Sequence, residues 1–129
     1  MIEKPINILC ISEMNDTYIT AIVIYIRSEN GLSTAASKQV DLLCLSHAPA
    51  CFKPMPPNGI LIAYLQSDGL VGETADRVIA AYEALAKFES DIRVGVSQGG
   101  VIGILDSSNR FSFGPFGDTV NIAMKRAIE

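Results

Sequence analysis

The stretch "FGPFGDTVNIAMKRA" near the end of the chain carries the residue types best placed to do chemistry. A glycine-broken aromatic run delivers Asp118, Thr119, Val120 and Asn121 straight into a helical pattern. A carboxylate and an amide at a helix start can contact a ligand. The same two groups also serve the helix itself: Asp118 can cap it and meet the positive end of its dipole, and Asn121 can bond nearby backbone. Capping is the more frequent use and takes precedence here. Elsewhere the reactive types are sparse. The sole histidine, His47, has no Cys, Asp or Glu at ligand spacing and is expected to be structural. Cys10, Cys44 and Cys51 form an odd set without a CxxC pair, so neither a disulfide framework nor a thiolate metal site is indicated. "SQGGV" does not lie between a strand and a helix start, as a phosphate cradle requires, and is expected to be a hairpin turn. Asp106 and Arg110 flank a polar loop tip as solvated surface charge.

The elements that must position these residues follow from pattern. "INILCI" and "YITAIVIYI" are short, rich in Ile, Val and Tyr, and bounded by polar clusters, which predicts strands. "STAASKQVDLLCLSHA" predicts a helix capped by Ser33 or Thr34, with Val40, Leu43 and Cys44 on one side and Pro49 as its stop. "KPMPPNG" reads as a stiff turn, and "ILIAYLQ" as a strand buried on both faces. "ETADRVIAAYEALAKFE" places Ala75, Val78, Ile79, Tyr82, Leu85 and Ala86 at helical intervals. "DIRVGVSQGGVIGILDSSNRFSFG" predicts a strand, a glycine turn, a second strand and a loop into a short third strand. The closing "DTVNIAMKRAIE" is a helix.

Strands alternating with helices and closing on a hairpin make an α/β (α+β) sandwich, and a ferredoxin-like split βαβ arrangement with helices over a mixed sheet fits best. At 129 residues and 49% hydrophobic composition the chain is expected to be a single domain, residues 1–129, with a substantial core. A net charge of −4 with scattered Lys and Arg argues against nucleic acid as a partner. The longest apolar run, "AIVIYI", is too short to cross a bilayer, and the start lacks a leader pattern, so a cytoplasmic protein without membrane insertion is expected.

From Ile92 to Lys125 the sequence resembles the second half of the class III nucleotide cyclase catalytic domain. "IRVGVSQGGVIG" supplies the pattern Arg-x-Gly-x-x-x-Gly-x-Val through Arg93, Gly95, Gly99 and Val101, and "FGDTVNIA" supplies the Gly-Asp-Thr-Val-Asn turn and helix start. "ILIAYLQ" and the Ala-rich helix after it are similar in pattern to the strand and helix that follow the family's Gly-Asp turn. The family continues with further strands beyond the position of Glu129, so the chain is either a shortened form or stops early.

The resemblance implies a reaction in which a 3′-hydroxyl attacks an α-phosphorus while pyrophosphate leaves. Two metal ions about 3.5–4 Å apart usually hold the attacking and leaving oxygens, and hard ions such as Mg²⁺ or Mn²⁺ need carboxylates. Carried over residue by residue, the second metal aspartate falls on Asn58. The first falls on Arg27 if "AIVIYIR" is the first core strand, or on Ser12 beside Glu13 if "NILCISE" is; the order of strand and helix favours Arg27. The base-reading lysine falls on Pro54, with Lys53 next to it, and the second base-reading residue on Gly114. Asn121 matches the ribose-orienting asparagine, and Lys125 stands for the arginine that steadies the triphosphate, keeping its charge without the bidentate fork. Neutral or cationic groups thus replace both metal carboxylates. No cofactor is expected, and the resemblance implies a catalytically degenerate regulatory, dimerisation or ligand-binding module in signalling. It would pair with itself or with another cyclase-like chain. The alternative is the complementary half of a heterodimeric adenylate or guanylate cyclase, in which case Mg²⁺ or Mn²⁺ would be required.

Overall fold

The computed structural model describes residues 19–128, and the strand expected in "INILCI", together with Ser12 and Glu13, lies outside the described residues. The elements are β1 (Ile19–Ser28), α1 (Thr34–Ser46), β2 (Cys51–Met55), β3 (Gly59–Leu65), α2 (Gly72–Glu83), a short α3 (Leu85–Phe88), β4 (Ile92–Leu105), β5 (Phe111–Phe116) and α4 (Asp118–Ile128). The sheet order is β2-β3-β1-β4-β5. This is the interleaving of two split βαβ units: β3 fills the gap left by β1-α1-β2, and β1 fills the gap left by β3-α2-β4. The α+β ferredoxin-like architecture is therefore present. Every neighbouring pair is antiparallel, where a mixed sheet is expected. The parallel strands of each unit never touch, because a strand of the other unit lies between them.

The central strands explain the unbroken apolar run of the sequence. One face of the sheet buries Ile22, Ile24, Ile26, Ile62, Tyr64 and Ile92 against Ala36 and Val40 of α1 and Ala75, Val78, Tyr82 and Leu85 of α2 and α3. The other face buries Ala21, Val23, Leu61 and Val101 against Val120, Ala123 and Ala127 of α4. A strand covered on both sides has no polar positions to alternate with. Each fully buried large side chain contributes about 1.5–3 kcal/mol.

Local chemistry sets the helix ends. The Ser33 hydroxyl accepts the Ala36 N–H at 3.1 Å and donates to the Glu89 carboxylate, tying the start of α1 to the end of α3. His47 closes α1 through its own N–H to the Leu43 carbonyl, and its carbonyl accepts the Tyr64 hydroxyl at 2.7 Å. Its role is structural, through the main chain. The expected single helix after residue 72 is interrupted at Ala84, and Ala86 faces solvent rather than the core.

Two expectations fail in instructive ways. "SQGGV" is no turn: β4 runs unbroken through Gly99 and Gly100, both paired with β1. Within "KPMPPNG", Lys53, Pro54 and Met55 belong to β2, and only residues 56–58 turn. Beyond Val101, bulges in β4 let β5 depart from the ladder, and the Phe111 N–H bonds the Ala50 carbonyl at 2.8 Å. The β4–β5 hairpin thus arches over the α4 face toward β2. Its tip is built by Asp106, whose carboxylate accepts the N–H groups of Ser108 and Arg110, so this residue shapes the loop as well as carrying charge.

Candidate functional site

The α4 side carries several of the residues singled out by sequence, and glycines decide how that face is assembled. A Cβ on Gly95 would run into the main chain of α4 at Ala123 and Ala127. A Cβ on Gly99 would come to 2.9 Å from the Thr119 hydroxyl. Both glycines therefore serve close helix-on-strand approach. Thr119 is buried and donates to the Gly100 carbonyl at 2.7 Å, while Arg126 donates to the Val96 carbonyl at 2.6 Å. These two side chains engage main-chain acceptors along the part of β4 that β5 does not pair, as exposed strand edges generally require. Sequence reasoning missed Thr119 and Gly95 as docking residues. The signal was available in the alternate-residue spacing of Gly95, Ser97, Gly99 and Val101, which puts all four on one face of a strand.

The two positions aligned with metal carboxylates come together at one end of the sheet. Arg27 sits directly opposite Gly59, the residue after Asn58, and the Ser28 N–H bonds the Asn58 carbonyl at 3.1 Å. On its other side Arg27 is directly opposite Arg93. The Asn58 amide donates to the Glu29 carbonyl at 2.8 Å, stapling the β2–β3 turn to the end of β1. Asn58 thus has a structural occupation, and Arg27 has a second cation for a neighbour.

The base-reading positions behave differently. Pro54 pairs with Ile60, which packs on the α1–α2 side, whereas Lys53 pairs with Leu61 of the α4 face. A one-residue offset in a strand moves a side chain to the opposite surface, and here it puts Lys53, not Pro54, toward β5. The Lys53 ammonium lies 5.9 Å from the centre of the Phe116 ring, which Phe113 meets edge-on at 5.2 Å. Lys53, Cys51, Phe113, Gly114 and Phe116 line a cleft of about 400 Å³. Burial pushes the Cys51 thiol up, partly opposed by the Lys53 charge, which disfavours the reactive thiolate. Gly114 has φ +98, and a Cβ there would come to 2.9 Å from the Ile102 carbonyl. The backbone therefore demands glycine where the resemblance implies a polar side chain.

On the far side of Phe116 a second cleft, about 670 Å³, is lined by Thr20, Ile102, Phe116, Gly117, Asp118 and Thr119. Asp118 is exposed and is the first helical residue rather than the cap. Gly117, at φ +120, precedes the helix and its carbonyl accepts the Asn121 N–H at 3.1 Å. The Asp118 carboxylate still meets the positive end of the helix. Asn121 and Lys125 are exposed on α4, away from the buried residues of that helix.

No family model and no curated protein matches the chain. Solved structures do. The catalytic core of a rhodopsin-guanylyl cyclase with converted specificity, in complex with ATPαS, superposes with a TM-score of 0.58 at 17% identity, covering 84% of this chain and 71% of that one. A bacterial light-regulated adenylyl cyclase gives 0.59 at 13% identity, covering 87% and 70%. The non-canonical dimeric guanylyl cyclase domain of the RhoGC fusion protein from the aquatic fungus Blastocladiella emersonii gives 0.55 at 19%, covering 84% and 72%. The chain has the fold of the class III nucleotide cyclase catalytic domain. Among the described residues no helix is long and apolar enough to cross a membrane.

The donor set at the end of β1 does not fit the divalent ions that the resemblance implies. A guanidinium and an engaged amide offer no anionic oxygen, and among the described residues no three His, Cys, Asp or Glu side chains converge to hold a metal.

Proposed function

We propose that this chain is a non-catalytic nucleotide cyclase-like module that acts in signalling through association or ligand binding, as a homodimer or with another cyclase-like chain. One observation carries the reading: at the sheet end where metal-binding carboxylates would be needed, Arg27 faces Arg93 and Asn58 is spent on the main chain. Two divalent cations brought to that point would meet positive charge instead of offsetting anions. A cyclase fold without that charge balance keeps its surfaces and loses its chemistry. One neighbour is described as dimeric, which supports pairing as the mode of action. Exposed Ile102, Phe113, Phe116 and Ile122 give β4, β5 and α4 apolar surface to bury in such a pair.

A second reading draws support from Lys53. With that lysine facing β5 beside Phe116, the chain keeps a cationic donor near the base-reading position, as well as Asn121 and Lys125 on α4. It would then be the complementary half of a heterodimeric adenylate or guanylate cyclase, with the metal carboxylates supplied by the partner. Incubating the purified chain with ATP or GTP and Mn²⁺ separates the two. The expected result is no cyclic nucleotide from the chain alone or in mixture with a cyclase domain that retains both aspartates. Product from the chain alone overturns the non-catalytic reading, and product only in the mixture establishes the second. A strict monomer by light scattering, at concentrations well above micromolar, counts against both.

A further inference from the structure

Arg27 and Arg93 are directly opposed residues of the β1–β4 ladder. Alternation from Ala21, Val23 and Tyr25 puts Arg27 on the α4 face, and alternation from Gly95 puts Arg93 there too. Directly opposed side chains in such a ladder start about 4.5–5.5 Å apart at Cβ, and like charges at that spacing destabilise the pair. Arg27 is half-buried, so water screens it incompletely. On the far side of Arg27 is Gly59, where any Cβ would run into the Tyr25 hydroxyl. The Tyr25 ring therefore lies across Gly59 and brings its O–H to the flank of Arg27.

This end of the sheet thus carries two arginines, half-buried Arg27 and exposed Arg93, and a phenol on one face, all able to donate. Of the nearest acidic side chains, Asp91 is within 3.4 Å of the Asn30 amide, and Glu29 lies beyond the last residue of β1. The Asn58 amide is already committed to the Glu29 carbonyl. Guanidinium forks match phosphate oxygens two at a time, and opposed arginines lose their repulsion when an anion sits between them.

We propose that Arg27, Arg93 and the Tyr25 hydroxyl form a metal-independent phosphate site, which takes the phosphates of a nucleoside di- or triphosphate, or free pyrophosphate, without a divalent ion. This deepens the ligand-binding role proposed above and rests on it. The charge that a cyclase receives from metals would here come from the side chains, so the ligand is held and not turned over.

The test is thermal melting of the full chain in EDTA with inorganic pyrophosphate or with ATP, against sulfate at matched ionic strength. Pyrophosphate is expected to raise the midpoint and sulfate to leave it nearly unchanged. If ATP does so at lower concentration than pyrophosphate, a nucleotide is the source of the phosphate; if pyrophosphate is as effective, the free anion is. Arg93→Gln and Arg27→Met are each expected to weaken the apparent affinity roughly tenfold, one bidentate contact being lost. Because each also removes one of two opposed charges, the unliganded midpoint should rise or hold, which guards against reading misfolding as lost binding. No shift in the wild-type chain overturns the inference. So does a shift that requires Mg²⁺ or Mn²⁺, or equal shifts in the variants. The non-catalytic reading fails separately, only through formation of cyclic nucleotide: a chain that ignores pyrophosphate in EDTA and makes no product sinks the phosphate site alone.

Discussion

Gly95→Ala is a one-carbon perturbation whose sign distinguishes two readings of the glycine motif in β4. Were these glycines there for a turn or for flexibility, alanine inside a paired strand would gain about 0.5–1 kcal/mol, because glycine weakens strand interiors by that amount. In the structure the new Cβ would overlap the α4 main chain at Ala123 and Ala127. Main chain cannot rotate out of the way as a side chain does, so the helix must lift from the sheet along Ala123, Ala127 and Val120. Overpacking of this kind costs about 1–3 kcal/mol, and the absence of a flexible neighbour puts Gly95 at the upper end. Subtracting the strand gain leaves a net loss of about 2 kcal/mol, or a midpoint lower by about 8 °C at roughly 4 °C per kcal/mol for a domain of this length. Urea titration and thermal melting of wild type and variant measure it, with Gly31→Ala as a comparison at a site with nothing within 4 Å but a φ of +79. A Gly95→Ala protein as stable as wild type, or more so, would refute the close docking of α4 and the whole account of that face.

Other expectations follow from single groups. Thr119→Val keeps shape but strips the 2.7 Å bond to the Gly100 carbonyl, and is expected to cost about 1–2 kcal/mol by urea midpoint. Alkaline pH should unfold the chain early. Burial raises the Cys44 and Cys51 thiols above 9.0, lifts Tyr64 from 10.0 to about 12, and, with its hydrogen bonds to Tyr64 and Cys44, holds Tyr82 higher still. Below pH 9 these groups are protonated in both states. Above it the unfolded chain releases protons that the folded chain keeps, so stability falls as pH rises from about 9 to 12, and urea midpoints measured across that range should decline steadily. Tyr82→Phe should shrink that decline, since it removes the centre of the Cys44–Tyr82–Tyr64 chain. Placing carboxylates at both positions, as Arg27→Asp/Asn58→Asp, should create Mn²⁺ binding. At ten times a millimolar dissociation constant the stabilisation is about 1.4 kcal/mol, which a melting curve detects, while wild type should show none. An equal Mn²⁺ shift in wild type would contradict the proposed charge mismatch.

The fold was largely legible because period and burial agreed. "AIVIYI" and "ILIAYLQ" are unbroken apolar runs, and both become strands covered by helices on each side. Val78, Tyr82 and Leu85 recur at helical spacing and do enter the core. What failed were positions where one residue type serves two physical ends. Gly99–Gly100 has the composition of a turn, but glycine also permits close approach, and only the tertiary position of α4 decides between them. β2 was hidden by Pro54, which interior strands exclude but an edge strand such as β2 tolerates. That omission carried over to the site. Without a strand through Lys53 there was no alternation to say that Lys53 and Pro54 face opposite ways. The opposition of Arg27 and Arg93 was equally invisible, since register across a sequence separation of 66 is set by the whole sheet.

The structure also explains what the residues that resemble a cyclase do in the last third of the chain. The matching residues do mechanical work. Gly95 and Gly99 admit α4, Thr119 bonds β4, Val120 and Ala123 fill the face beneath, and Gly117 supplies the positive φ that starts the helix. None of these tasks depends on turning over a nucleotide. The departures fall at Arg27, Asn58 and Gly114, where the fold tolerates a cation, uses an amide as a staple, or requires a bare Cα. A motif made of packing residues therefore reports the scaffold and is silent about the reaction, and activity has to be argued from the charges that the scaffold presents.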